Sequence, residues 1–181
     1  KAVVMTQTET STGVVNDVRA VARLTKDTNT LLIVDAVSSF LAEPMKMDEW
    51  SVDVVGTGAQ KAIMLPPGLG FAALGPKAQE AIKTCKTPRY YFDLAKYLKS
   101  MGKSDTPFTP AVNMFYALEE SLKNVLDEGL EAVLGIAVAR FRGTKPGRRF
   151  RPPGLVLLEP YGKVDPHVDD PHVFSALGQC R

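Results

Sequence analysis

VDVVGTGAQKAIMLPPGLG, residues 52–70, places a lysine, Lys61, between two apolar runs. Val52, Val54 and Val55, with Asp53 among them, predict a short buried strand, and Gly56-Thr57-Gly58 predicts a tight turn directly after it. Lys61 then falls in a constrained loop rather than on a solvated face. After Pro66-Pro67-Gly68, the apolar run 69–74 brings the chain straight back, so two strands flank the lysine. Spacing alone leaves an ordinary surface lysine as the alternative, because lysines are mostly exposed.

Two upstream segments strengthen the case for a site. Leu31 to Val34 is a continuous apolar run ending in Asp35, the pattern of a buried parallel strand that delivers a carboxylate at its C-terminal end. Open α/β sheets bind ligands at that edge. Residues 2–5 form another apolar run, followed by a hydroxyl-rich stretch, residues 6–12, that Gly13 closes. Three strand ends thus offer hydroxyls, an acid and a lysine. Between the first two runs, Val14, Val18, Val21, Ala22 and Leu24 recur at helical spacing, with Asn16 or Asp17 able to cap the first turn. The strand, helix, strand order predicts a right-handed βαβ unit.

The 181 residues suffice for one domain with a sizeable core, and 45% hydrophobic with 23% charged residues is the balance of a soluble globular protein. The chain opens on Lys1 and enters an apolar run at once, so it is expected to begin inside a domain. No charged-then-apolar leader is present, and no apolar run approaches the roughly 18 residues of a membrane span. Neither secretion nor a membrane partner is expected. Cys85 and Cys180 lie far apart without a CxxC spacing, which suggests neither a disulfide framework nor a metal site. A reducing, cytoplasmic setting follows.

Downstream, residues 38–50 contain Pro44 and no sustained period, which predicts a loop with at most a short helix. Pro76 opens a helix with Ala78, Ala81 and Ile82 facing inward, and Cys85 is read as a small buried hydrophobe near its end. Tyr90, Tyr91, Phe92 and Tyr97 form an aromatic group that suits a cofactor, an oligomer interface or plain core packing. A rigid spacer, Thr106-Pro107-Phe108-Thr109-Pro110, precedes the strongest periodic signal in the chain. Met114, Phe115, Leu118, Leu122, Val125, Leu126, Leu130 and Val133 predict one long amphipathic helix over 111–139.

From residue 140 the texture changes, with eight basic and four acidic residues in the last segment. Arg140, Arg142, Arg148, Arg149 and Arg151 crowd together, prolines multiply, and a packed core becomes hard to build. A nucleic-acid arm is one reading, but no binding motif accompanies the arginines, so a disordered or aberrant tail is preferred and no nucleic-acid partner is expected. Asp165-Pro166-His167 and Asp170-Pro171-His172 mimic a metal motif. Their prolines oppose the shared helical face that paired ligands need.

Three motifs now stand in order: E-T-S-T-G at Glu9 to Gly13, V-D-A-V-S-S at Val34 to Ser39, and G-A-Q-K-A-I-M-L-P-P-G at Gly58 to Gly68. Together they resemble the class V aminotransferases, most closely the alanine–glyoxylate and serine–pyruvate group, over about residues 1–134. The resemblance implies a pyridoxal-phosphate enzyme of fold type I, the aspartate-aminotransferase-like α/β fold, and usually a homodimer. It implies that residues 1–110 are part of the large cofactor-binding domain, with a mostly parallel sheet and helices on both faces. Residues 111–139 would be a connecting helix, and 140–181 fall outside the match.

Position by position, the resemblance makes Lys61 the lysine that forms the internal Schiff base and Asp35 the buried carboxylate that pairs with the pyridine nitrogen. The ring is an electron sink only while that nitrogen stays protonated, and a nearby anion raises its pKa. Val37 matches the aliphatic residue on one ring face, Thr10 the hydroxyl near the phenolic oxygen, and Gln60 a phosphate ligand. Thr109 resembles a threonine that reaches the phosphate of the neighbouring subunit's cofactor.

The matched region lacks the family's phosphate-gripping glycine-rich turn, its ring-stacking aromatic and its small C-terminal domain with a carboxylate-binding arginine. Two readings from different classes follow. One is an aminotransferase that moves an amino group from alanine or serine to glyoxylate or pyruvate; the other is an inactive part of such an enzyme. A carbon–sulfur lyase or desulfurase is a third, opposed by Gln60, where such enzymes commonly carry histidine.

Overall fold

The computed structural model describes residues 1–141. The readings placed on residues 142–181, the arginine-rich tail and the Asp-Pro-His pairs, lie outside the described residues. Four strands form one sheet in the order β1-β2-β3-β4: β1 (Ala2–Thr6), β2 (Leu31–Asp35), β3 (Val54–Gly58) and β4 (Gly70–Leu74). The first three run parallel, with Thr6 opposite Asp35 and Asp35 opposite Gly56, so the carboxyl ends of all three open on one edge. β4 returns antiparallel, with Gly58 opposite Gly70.

Glycines 56 and 58 do not end the strand as their composition predicts. β3 bonds to β2 on one side and to β4 on the other, and this double ladder offsets the conformational freedom that makes glycine a poor strand former. The turn comes later, at residues 59–65, and there Lys61 sits.

The crossover helix α1 (Val18–Thr25) forms as expected, and of its two candidate caps Asp17 serves, its Oδ1 accepting from Ala20 N–H at 2.8 Å. Val18 and Ala22 pack on Leu32, Val34, Ala36, Val52 and Val55 to make the first core cluster. Leu32 and Val34 are fully enclosed, and burial of this kind contributes about 2 kcal/mol for each side chain. Val14 and Leu24 point to solvent instead, outside this packed stripe.

At the opposite end of the strands, Asp53 Oδ2 accepts from Leu32 N–H at 2.7 Å and pairs with Lys77 Nζ at 3.2 Å. Lys77 also donates to the carbonyls of Thr25 and Thr28. It lies on α3 (Pro76–Thr84), which begins at the proline expected to open it. The residue 38–50 loop holds only the short α2 (Met47–Trp50).

Two later expectations are corrected. Cys85 is exposed, because it lies just past the last turn of α3 and not on its inward face. The long helix is two helices, α5 (Val112–Glu128) and α6 (Leu130–Phe141), separated by Gly129, whose φ of 85° no helical residue adopts. A further helix, α4 (Leu94–Met101), carries Tyr97 of the aromatic group, half-buried, while Tyr90, Tyr91 and Phe92 ahead of it are exposed rather than core. Among the described residues no helix is long and apolar enough to cross a membrane.

Candidate active site

Each candidate side chain except Thr109 leaves the sheet at its carboxyl edge or just beyond it. β1 passes into the hydroxyl-rich loop, where Thr10 Oγ1 lies 2.6 Å from Ser38 Oγ. The same loop is stiffened by Glu9, which accepts from Ser11 N–H at 2.9 Å and from the Ser11 hydroxyl at 2.7 Å. These two bonds hold the Glu9 carboxyl below the usual carboxylate range. β2 ends on Asp35, whose Oδ1 accepts from Val37 N–H at 2.9 Å. That bond fixes the carboxylate against the turn carrying Val37, which is half-buried, and Ser38.

Beyond β3, Gln60 folds back over Gly58: a Cβ built on Gly58 would stand 2.8 Å from Gln60 Oε1. The glycine therefore leaves space that the amide occupies. Lys61 follows in a closed loop. Ala59 N–H donates to Leu69 O at 3.0 Å, Met64 N–H to Lys61 O at 2.8 Å and Leu65 N–H to Ala59 O at 3.1 Å. Ile63 and Leu65 anchor the loop in a second core cluster with Ala59 and Met114.

The loop is as constrained as its sequence suggests, but the Lys61 side chain is exposed, and so is Asp35, against the expectation of a buried anion. Asp35 is the last residue of its strand, so its side chain projects beyond the layer that α1 covers. Thr10, Gln60 and Thr109 are exposed as well. Thr109 lies in the spacer ahead of α5, and among the described residues no hydrogen bond or ion pair links it to Lys61 or Asp35.

Two residues escaped the reading of the sequence. Ser38 stands in the quoted V-D-A-V-S-S motif, and its signal was the second hydroxyl beside Val37. Ser121, whose hydroxyl donates to Ile63 O, carries no local signal.

An amine, a fixed carboxylate, a hydroxyl pair, an amide and an aliphatic face match in kind the aldehyde, pyridine nitrogen, phenolic oxygen, phosphate and ring of pyridoxal phosphate. The space over Gly58 lets the amide sit close to the sheet edge, so the residues present fit the group. The mostly parallel sheet is that of the fold type I aminotransferases, over part of their large domain. The chain belongs to the class-V aminotransferase family, whose model matches residues 1–136.

Among its relatives, the chain is 52% identical over 134 residues to the soluble hydrogenase small subunit of Synechococcus sp. (strain PCC 6716), covering 74% of this chain and 35% of that protein. It is 45% identical over 138 residues to a serine–glyoxylate aminotransferase of Arabidopsis thaliana, covering 74% and 34%. A solved aspartate aminotransferase of subgroup IV from Thermus thermophilus superposes with a TM-score of 0.67 at 38% identity, over 74% of this chain and 38% of that one. The chain thus spans about a third of the length of the curated relatives it matches.

Proposed function

We propose that the protein to which this chain belongs is an aminotransferase that moves an amino group from a small amino acid, alanine or serine, to glyoxylate or pyruvate. The observation that carries the reading is the meeting of Asp35, the Thr10–Ser38 pair and the Lys61 loop at one edge of the parallel strands. Pyridoxal phosphate, when bound, supplies an electron sink for the substrate's α-carbon.

The chain's own residues do the rest. Lys61 would hold the cofactor through its amine, and the same amine would take the substrate's α-proton and return it as general base and acid. Asp35 keeps a proton on the pyridine nitrogen through its negative charge. The Thr10 hydroxyl, paired with Ser38, would serve the phenolic oxygen, and Val37 would face the ring. Gln60 donates to the phosphate. Thr109 serves the phosphate of a second subunit in a homodimer, and the setting is cytoplasmic.

Borohydride reduction of the intact protein with pyridoxal phosphate, followed by peptide mapping, tests the assignment. The label is expected on Lys61; label on another lysine, or none, overturns it.

A further inference from the structure

We propose that Ser121 is a positioning residue for Lys61, acting through the backbone carbonyl of Ile63; the inference rests on the cofactor role of Lys61 given above. A serine inside a helix ordinarily bonds its own helix or faces water. Ser121 does neither: it is 6% exposed, on the same buried face of α5 as Met114 and Val125, and its hydroxyl donates to Ile63 O, 58 residues away in sequence. Ile63 is itself 3% exposed and only two residues past Lys61. Without the hydroxyl, its carbonyl would be a buried acceptor without a partner, an arrangement that proteins avoid.

The loop needs such a tether. Met64 holds a φ of 63°, a left-handed conformation uncommon for a residue with a side chain and kept only where the surroundings impose it. The Met64 and Leu65 N–H groups close the turn on Lys61 O and Ala59 O. Among the described residues, the Ser121 hydroxyl makes the one side-chain hydrogen bond to the backbone of residues 59–69. The direction in which Lys61 leaves its turn therefore depends on a bond from α5.

The test compares the intact protein with its Ser121→Ala, Ser121→Cys and Ser121→Thr variants by two measurements. The first is hydrogen exchange at the Met64 and Leu65 amides without cofactor. The second is capture of excess pyridoxal phosphate by borohydride, scored as label on Lys61 relative to the exposed Lys83. Ala removes the donor and Cys keeps the volume with a weak donor, so both should speed exchange about tenfold and lower the Lys61-to-Lys83 ratio about fivefold. Thr retains the hydroxyl and should restore both.

Exchange and labelling ratio unchanged in Ala and Cys overturn the proposal. So does a wild-type result for Cys, which would assign the effect to volume, and so does a labelling change without a change in exchange. If exchange responds as expected while the intact protein takes no label on Lys61, the tether stands and the cofactor assignment of Lys61 fails.

Discussion

Asp35 is oriented rather than enclosed: its Oδ1 is tied to Val37 N–H, and the residue is open to solvent. Asp35→Asn keeps size and hydrogen bonding but removes the charge, so in the intact protein transamination should fall by several powers of ten. Capture of the cofactor on Lys61 should persist. Single-turnover rates for the two half-reactions check this, and rates equal to those of the parent would count decisively against the role. The strand-end positions of Lys61 and Asp35 were legible in the apolar runs beside them, whereas their particular roles came from motif resemblance. Ser38 was readable in part, as one of two adjacent serines, but only folding reveals that it meets Thr10.

α1, β2 and α3 are stapled by Asp53 and Lys77 at the end of the sheet away from the candidate site. Asp53→Ala removes the partner of the Leu32 N–H and of the ammonium together, and should destabilise the chain by about 3 kcal/mol. Asp53→Asn keeps an acceptor for the N–H and should cost about 1 kcal/mol. Urea unfolding gives both values, and an Ala variant as stable as the parent would refute the staple. Elements of this kind differ in how far the sequence discloses them. The run Leu31 to Asp35 was legible as a continuous apolar run closed by an acid, although only its Leu32 and Val34 face is fully buried. Gly56 to Gly58 misled, because their strand state comes from ladders with β2 and β4 that no local pattern encodes. In α5 the periodicity announced a helix, yet Leu126 is 77% exposed while Ser121 is buried. An excess of leucines widens the apparent stripe, and a serine buried to satisfy a distant carbonyl looks like a surface residue.

Among the described residues the sheet ends on one side at β1, which pairs only with β2 and leaves Val4 71% exposed. Unpaired backbone groups beside an apolar face invite pairing with another chain. The 181-residue chain should therefore self-associate as concentration rises. Val4→Lys should raise the onset concentration about tenfold and change stability by less than about 0.5 kcal/mol. Sedimentation velocity across a concentration series measures the first and urea unfolding the second; an unchanged onset would show that β1 is not the contact. The strand order also has a temporal meaning. Because each strand lies beside its predecessor in sequence, the sheet can be laid down in the order in which synthesis delivers it, with short loops to close. The loop of Lys61 cannot finish on that schedule, since its tether belongs to a helix 58 residues downstream. The four described strands can therefore pair before α5 exists, and on the tether proposed above the Lys61 loop is set only once that helix has been made.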